Sequence, residues 1–129
     1  MARGSERVLL VPGDCPALDA GEVAGVLDAF GDAGVVIVPD RHGAGTNALR
    51  LSPPDVIAPS FGPGSFARHA ARAAAAGAVV RVAQAPSLEL DVDTPGDLAA
   101  LRAALQRLPE AAPRTRALLA RLSPRSAVA

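Results

Sequence analysis

The sequence predicts an α/β fold, a mainly parallel sheet with helices on both faces. Three observations carry this expectation. Short apolar runs such as Val35 to Val38, continuous enough for a buried strand, and Ala78 to Val82 are too brief for helices. Stretches rich in Ala and Leu alternate with them. Gly and Pro clusters punctuate the boundaries, as at Gly62-Pro63-Gly64.

Arg7 to Val11 reads as a short buried strand. Asp19 caps a helix from about Ala20 to Phe30, with Glu22 in its first turn. Val35 to Val38 is a second strand, Asp40 to Asn47 a Gly-rich polar loop, and Ala48 to Leu51 a short strand. After a Pro- and Gly-rich loop, Ser65 is placed to cap a helix over Phe66 to Ala76, which Gly77 ends. Ala78 to Val82 forms a further strand, and the run Leu88 to Val92 leads into Asp91 and Asp93. Thr94-Pro95 opens a helix of about Gly96 to Leu108, with Asp97 near the positive end of its dipole. The expected organisation is one α/β domain over residues 1–112, then a helical or partly disordered tail over residues 113–129.

Composition narrows the function. Thirteen basic and thirteen acidic residues leave no net charge, and there is no Trp or Tyr to stack on bases, so nucleic acid is not expected as a partner. A lone Cys15 rules out an internal disulfide framework and a multi-Cys zinc site. No apolar stretch is long enough to span a membrane, and a cytoplasmic location is expected.

Three constellations suggest chemistry. In Leu90-Asp91-Val92-Asp93-Thr94-Pro95 two carboxylates stand two residues apart, which on a strand puts them on one face. Asp14, after the first strand, has a matching setting. Three carboxylates at one sheet edge repel unless a cation lies among them, and oxygen ligands with open positions suit Mg²⁺. The bland alternative is that Asp14 and Asp93 serve as turn or cap residues. The second constellation is Asp40 to Asn47, where glycines allow backbone N–H groups near an anion and Thr46 adds a hydroxyl. A plain surface turn explains it about as well, and His42 reads as a solvated loop residue. The third is Phe61-Gly62-Pro63-Gly64-Ser65-Phe66-Ala67-Arg68-His69, a Gly-rich turn feeding a helix N-terminus, a setting suited to anions. Taken alone, an ordinary capped helix with solvated Arg68 and His69 is the stronger reading; the other has both facing a ligand.

Four blocks in this order carry a resemblance: Pro12 to Leu18, Gly43 to Leu49, Phe61 to His69, and Leu90 to Leu98. The chain resembles the guanylyltransferases that make the deazaflavin coenzyme F-420, acting on 2-phospho-L-lactate or phosphoenolpyruvate. The likeness covers about Val8 to Leu108. It implies a Rossmann-like fold of the nucleotide-diphospho-sugar-transferase type. It implies Mg²⁺-dependent transfer of GMP from GTP to a three-carbon phosphorylated acid, with diphosphate released. It implies Mg²⁺ held by Asp14, Asp91 and Asp93 as catalytic residues, and the acceptor contacted by Thr46, Gly62 and Ser65.

Members of that family begin with a strand and a Lys/Arg-rich nucleotide-phosphate loop that has no counterpart before Val8. The expectation is therefore a chain matching only the later, larger part of the enzyme, unable to transfer GMP alone and prone to self-association through an exposed sheet edge. Two other readings stay open on the residues: a non-catalytic remnant acting as a binding module, and a related nucleotidyltransferase. The residues do not discriminate phosphoenolpyruvate from 2-phospholactate or 3-phosphoglycerate.

Overall fold

The computed structural model describes residues 6–122. Four strands, β1 (Val8–Leu10), β2 (Val35–Pro39), β3 (Thr46–Leu51) and β4 (Val80–Val82), form one sheet in the order β1-β3-β2-β4. Four helices, α1 (Ala20–Asp28), α2 (Ser65–Ala75), α3 (Pro95–Arg107) and α4 (Pro113–Leu122), complete the domain.

The sheet is mixed, which corrects the mainly parallel expectation. β3 runs antiparallel to both β1 and β2, and only β2 and β4 pair in parallel. The reason is the length of the β2–β3 connection. Residues 40–45 are too few for a parallel crossover, which takes a dozen or more, so the chain turns back as a hairpin. Because β3 opposes both its neighbours, β1, β2 and β4 all point the same way. Their carboxyl ends and the start of β3 share one edge.

Helices cover both faces, as expected. Val36 and Val38 of β2 and Ala48 of β3 face α1 through Val23 and Val26. Val35, Ile37, Leu49 and Leu51 face the other way, onto Phe66, Ala70 and Ala73 of α2. This alternation explains why β2 reads as a continuous apolar run. A third cluster, with Leu101, Leu105 and Leu119, joins α3 and α4 to Ala17 and Leu90. The expected tail therefore packs as α4 through residue 122, while residues 123–129, where fraying was expected, lie outside the described residues.

Two arginines gather helix C-terminal carbonyls. Arg50, near the end of β3 and 0% exposed, donates to the carbonyls of Leu27, in the last turn of α1, and of Ala29, Phe30 and Ala33 just beyond it. Arg116 of α4 donates to Leu105, Leu108 and Ala111 at the end of α3. Each places a positive charge where the helix dipole is negative and orphan carbonyls need donors.

Candidate active site

Asp14, Asp91 and Asp93 meet at the carboxyl edge of the sheet. Each offers a carboxylate oxygen within 4.8 Å of the others. The route to this meeting differs from the expectation. Residues 88–93 form no strand, so Asp91 and Asp93 do not share a strand face. Leu88 instead packs in the α1 cluster and Leu90 in the α3 cluster, which draws this segment between two cores.

Specific bonds hold the acidic segment. The Val92 backbone N–H donates to the Asp14 carbonyl at 3.1 Å, and Asn47 Nδ2 donates to Asp91 Oδ1 at 3.1 Å. Asp97 closes a capping box with Thr94 at the start of α3, and its Oδ2 accepts from the Asp93 backbone at 3.0 Å. Its Oδ1 accepts from Arg41 at 2.5 Å, tying this turn to the loop after β2. The Arg41 bond, then the Asp93 N–H, hold the Asp97 carboxyl well below the usual range. Asp93 moves oppositely: burial, then the charges of Asp14 and Asp91, raise its pKa. Burial and the same two aspartates push the Cys15 thiol up to about 11. A raised carboxyl beside two others marks a place where negative charge is unbalanced.

The two Gly-rich loops flank this cluster. Asp40 Oδ1 accepts from the backbone N–H groups of His42 and Ala44 and so shapes the hairpin loop. A Cβ on Gly45 would stand 2.6 Å from Asp40 Oδ2, so a side chain there would displace the carboxylate that shapes the turn. His42 is exposed, as expected of a solvated loop residue.

The second loop corrects two expectations. Ser65 is not the cap of α2; Gly64, in the left-handed conformation (φ 73°), occupies that position without a side-chain bond. The first helical N–H groups are engaged too: Ser65 N donates to the Gly62 carbonyl and Phe66 N to the Ala44 carbonyl. The α2 N-terminus is therefore not an open anion site. Arg68 does not face the cleft either. It donates to Ser60 Oγ and to the carbonyls of Ser60, Phe61 and Pro63, clamping the loop.

Ser65 and His69 are instead fully buried beneath Thr46. Ser65 Oγ donates to Thr46 Oγ1 at 3.1 Å, and His69 Nδ1 lies 2.9 Å from the same oxygen. The stronger reading of His69 as a solvated helix residue is thus wrong. A cleft of about 370 Å³ opens above Thr46, between Gly62 and the acidic cluster. Its lining includes Asp14, Asp40, Asp91 and Asp93, and no arginine among the described residues. All the implied site residues border this cleft except Ser65, which supports it from below. A larger cleft of about 680 Å³ lies away from it, between the start of α1 and the end of α3, without a cluster of ligating groups among the described residues.

A sequence profile of the family described as "Guanylyl transferase CofC like" matches residues 1–103, most of the chain. The chain belongs to the CofC-like guanylyl transferase family. It is 49% identical over 121 residues to a phosphoenolpyruvate guanylyltransferase of Conexibacter woesei, covering 92% of this chain and 54% of that protein. Proteins of the same name from Sphaerobacter thermophilus and Streptomyces coelicolor are 44% and 41% identical, covering 76% and 94% of this chain and 47% and 53% of theirs. The chain thus spans about half the length of these CofC-like relatives.

Several contributors to this CofC-like site escaped the sequence reading. Asn47 follows Thr46 directly, and strand alternation turns it to the opposite side, toward Asp91. The Arg41–Asp97 pair spans 56 residues and has no local signal. His69 stands four residues after Ser65, a spacing that puts both on one helix face, and that much was available.

Proposed function

We propose that this chain supplies the metal-holding and acceptor-holding surface for transfer of GMP from GTP to a three-carbon phosphorylated acid, with diphosphate as the leaving group. Phosphoenolpyruvate is the favoured acceptor, because relatives sharing more than 40% of their matched residues carry it in their names. The product would feed coenzyme F-420 synthesis, as the family resemblance implies.

The observation that carries this reading is the charge of the cleft. Among the described residues four aspartates and no arginine border it, yet both substrates are anions. Such substrates can enter only with cations that neutralise the carboxylates. Asp14, Asp91 and Asp93 fit a hard divalent ion: all donors are carboxylate oxygens, they converge within 4.8 Å, and the cleft leaves room for water and phosphate. Mg²⁺ bound there would offset the charge on the phosphates during transfer.

The chain's own residues do the positioning. Asn47 of β3 holds the Asp91 carboxylate, and the Val92–Asp14 backbone bond ties the two acidic segments together. The Thr46 hydroxyl donates to an acceptor oxygen, and Gly62, with φ 109°, lets that oxygen approach the backbone. In the transfer, a phosphate oxygen of the acid bonds to the α-phosphorus of GTP as the bond to the β-phosphate oxygen breaks. No covalent enzyme intermediate is required.

The test is calorimetric titration of phosphoenolpyruvate in the presence of Mg²⁺. Thr46→Val, nearly equal in shape, should bind about tenfold more weakly than wild type, the value of one hydrogen bond to a charged group. Equal affinity would remove Thr46 from the acceptor site.

A further inference from the structure

We propose that His69 is a positioning residue that makes Thr46 an obligate hydrogen-bond donor toward the cleft, so that this position selects an anionic oxygen. The inference rests on the acceptor reading of the cleft given above.

The backbone bond to His69 fixes the tautomer of its ring. The backbone N–H of Ser60 points at His69 Nε2 at 2.8 Å. A backbone amide can only donate, so Nε2 accepts and carries no proton. The neutral ring then has its proton on Nδ1, which donates to Thr46 Oγ1 at 2.9 Å. Ser65, also 0% exposed, donates its hydroxyl proton to the same oxygen. Two donors fill the acceptor capacity of Thr46 Oγ1, and its own proton remains to be given. Thr46 borders the cleft, and in this arrangement that proton is the one offered to a ligand there. A hydroxyl polarised by two donors gives a stronger bond to an anion. A ligand group that could only donate would meet another donor and be rejected.

The surroundings keep the ring neutral. Burial lowers the His69 pKa, and the Arg68 and Arg72 charges lower it further. Both arginines are anchored, Arg68 on the 60–63 loop and Arg72 on the Ala58 carbonyl at 2.7 Å. The Phe61 ring meets the imidazole edge-on at a centroid distance of 5.4 Å.

Two measurements on the described chain test this. The nitrogen NMR shifts of the His69 ring should show Nδ1 protonated and Nε2 unprotonated at neutral pH. An Nε2–H tautomer or a doubly protonated ring would overturn the relay. The second is a double-mutant cycle read by calorimetry of phosphoenolpyruvate with Mg²⁺. His69→Gln retains an acceptor for the Ser60 N–H but loses the donor to Thr46, and should weaken binding by about five- to tenfold. Thr46→Val should weaken it similarly, and the double variant should be no worse than Thr46→Val alone. His69→Asn, whose amide lies near the Nδ1 position, should recover part of the loss, and Mg²⁺ affinity should be the same in all variants. Losses that multiply in the double variant would show that His69 does not act through Thr46. Absence of phosphoenolpyruvate binding by wild type would remove the acceptor reading and this role with it. A wild type that binds with the other tautomer would overturn the relay alone.

Discussion

Replacing Asp91 by Asn should stabilise the chain without divalent ions and abolish its stabilisation by Mg²⁺. Asp91 has two carboxylate neighbours whose oxygens approach within 4.8 Å. At that distance two unit charges repel by about 0.9 kcal/mol in a medium as polar as water. Removing the Asp91 charge therefore relieves about 1.7 kcal/mol at low ionic strength, and less as salt screens it. The opposing effect is the Asn47 bond at 3.1 Å, which weakens by about 0.5–1 kcal/mol when its acceptor becomes a neutral amide. The net gain is about 1 kcal/mol, a rise in Tm of about 3–5 °C for a domain of this size. With Mg²⁺ the order reverses. An ion present at about ten times its Kd stabilises the wild type by about 1.4 kcal/mol and the variant by little. Thermal unfolding followed by circular dichroism, in EDTA and in millimolar MgCl₂, reads both effects. A wild type more stable than the variant in EDTA, or equal Mg²⁺ shifts in the two proteins, would refute the reasoning.

Arg50→Met should destabilise the chain by about 3 kcal/mol or more in urea unfolding, because four carbonyls in and after the last turn of α1 lose one charged donor; a loss well under 1 kcal/mol would show that water replaces it. Asp97→Asn should flatten the acid limb of the stability curve. The folded Asp97 pKa is depressed, chiefly by Arg41, so its contribution is complete above the unfolded carboxylate pKa of about 4 and is lost as pH falls below it; an unchanged slope between about pH 4 and pH 2 would contradict this. Cys15, buried and with its thiol pushed up to about 11, should resist alkylation at pH 8 in the folded chain and react once urea unfolds it; rapid labelling of the native chain would contradict the burial.

The sequence reading succeeded where local pattern decides structure. Asp19 caps α1 through its own side chain, as read from the sequence, and α3 opens at Thr94-Pro95 as expected, with Thr94 rather than Asp93 as its cap. β2 reads as buried because both of its faces are covered. The convergence of Asp14 with Asp91 and Asp93 was also legible, although by a different route than a shared strand face. Failures came where tertiary contacts overrule local signals. Leu88 to Val92 looks like a strand, but its leucines are claimed by two separate cores. Ser65 looks like a cap, yet its bond to Thr46 holds it in the interior as the first residue of α2, and Gly64 takes the cap position. The antiparallel β3 was recoverable, since no helix fits between Pro39 and Thr46.

The most direct test of the account is whether an anionic acceptor needs a divalent ion to enter a cleft bordered, among the described residues, by four aspartates and no arginine. Phosphoenolpyruvate is titrated into the chain by calorimetry in MgCl₂ and again in EDTA. The account predicts saturable binding at one site with Mg²⁺, none measurable in EDTA, and loss of the Mg²⁺-dependent binding in Asp14→Asn. Equal affinity in EDTA, or an Asp14→Asn variant that binds as wild type, would contradict it.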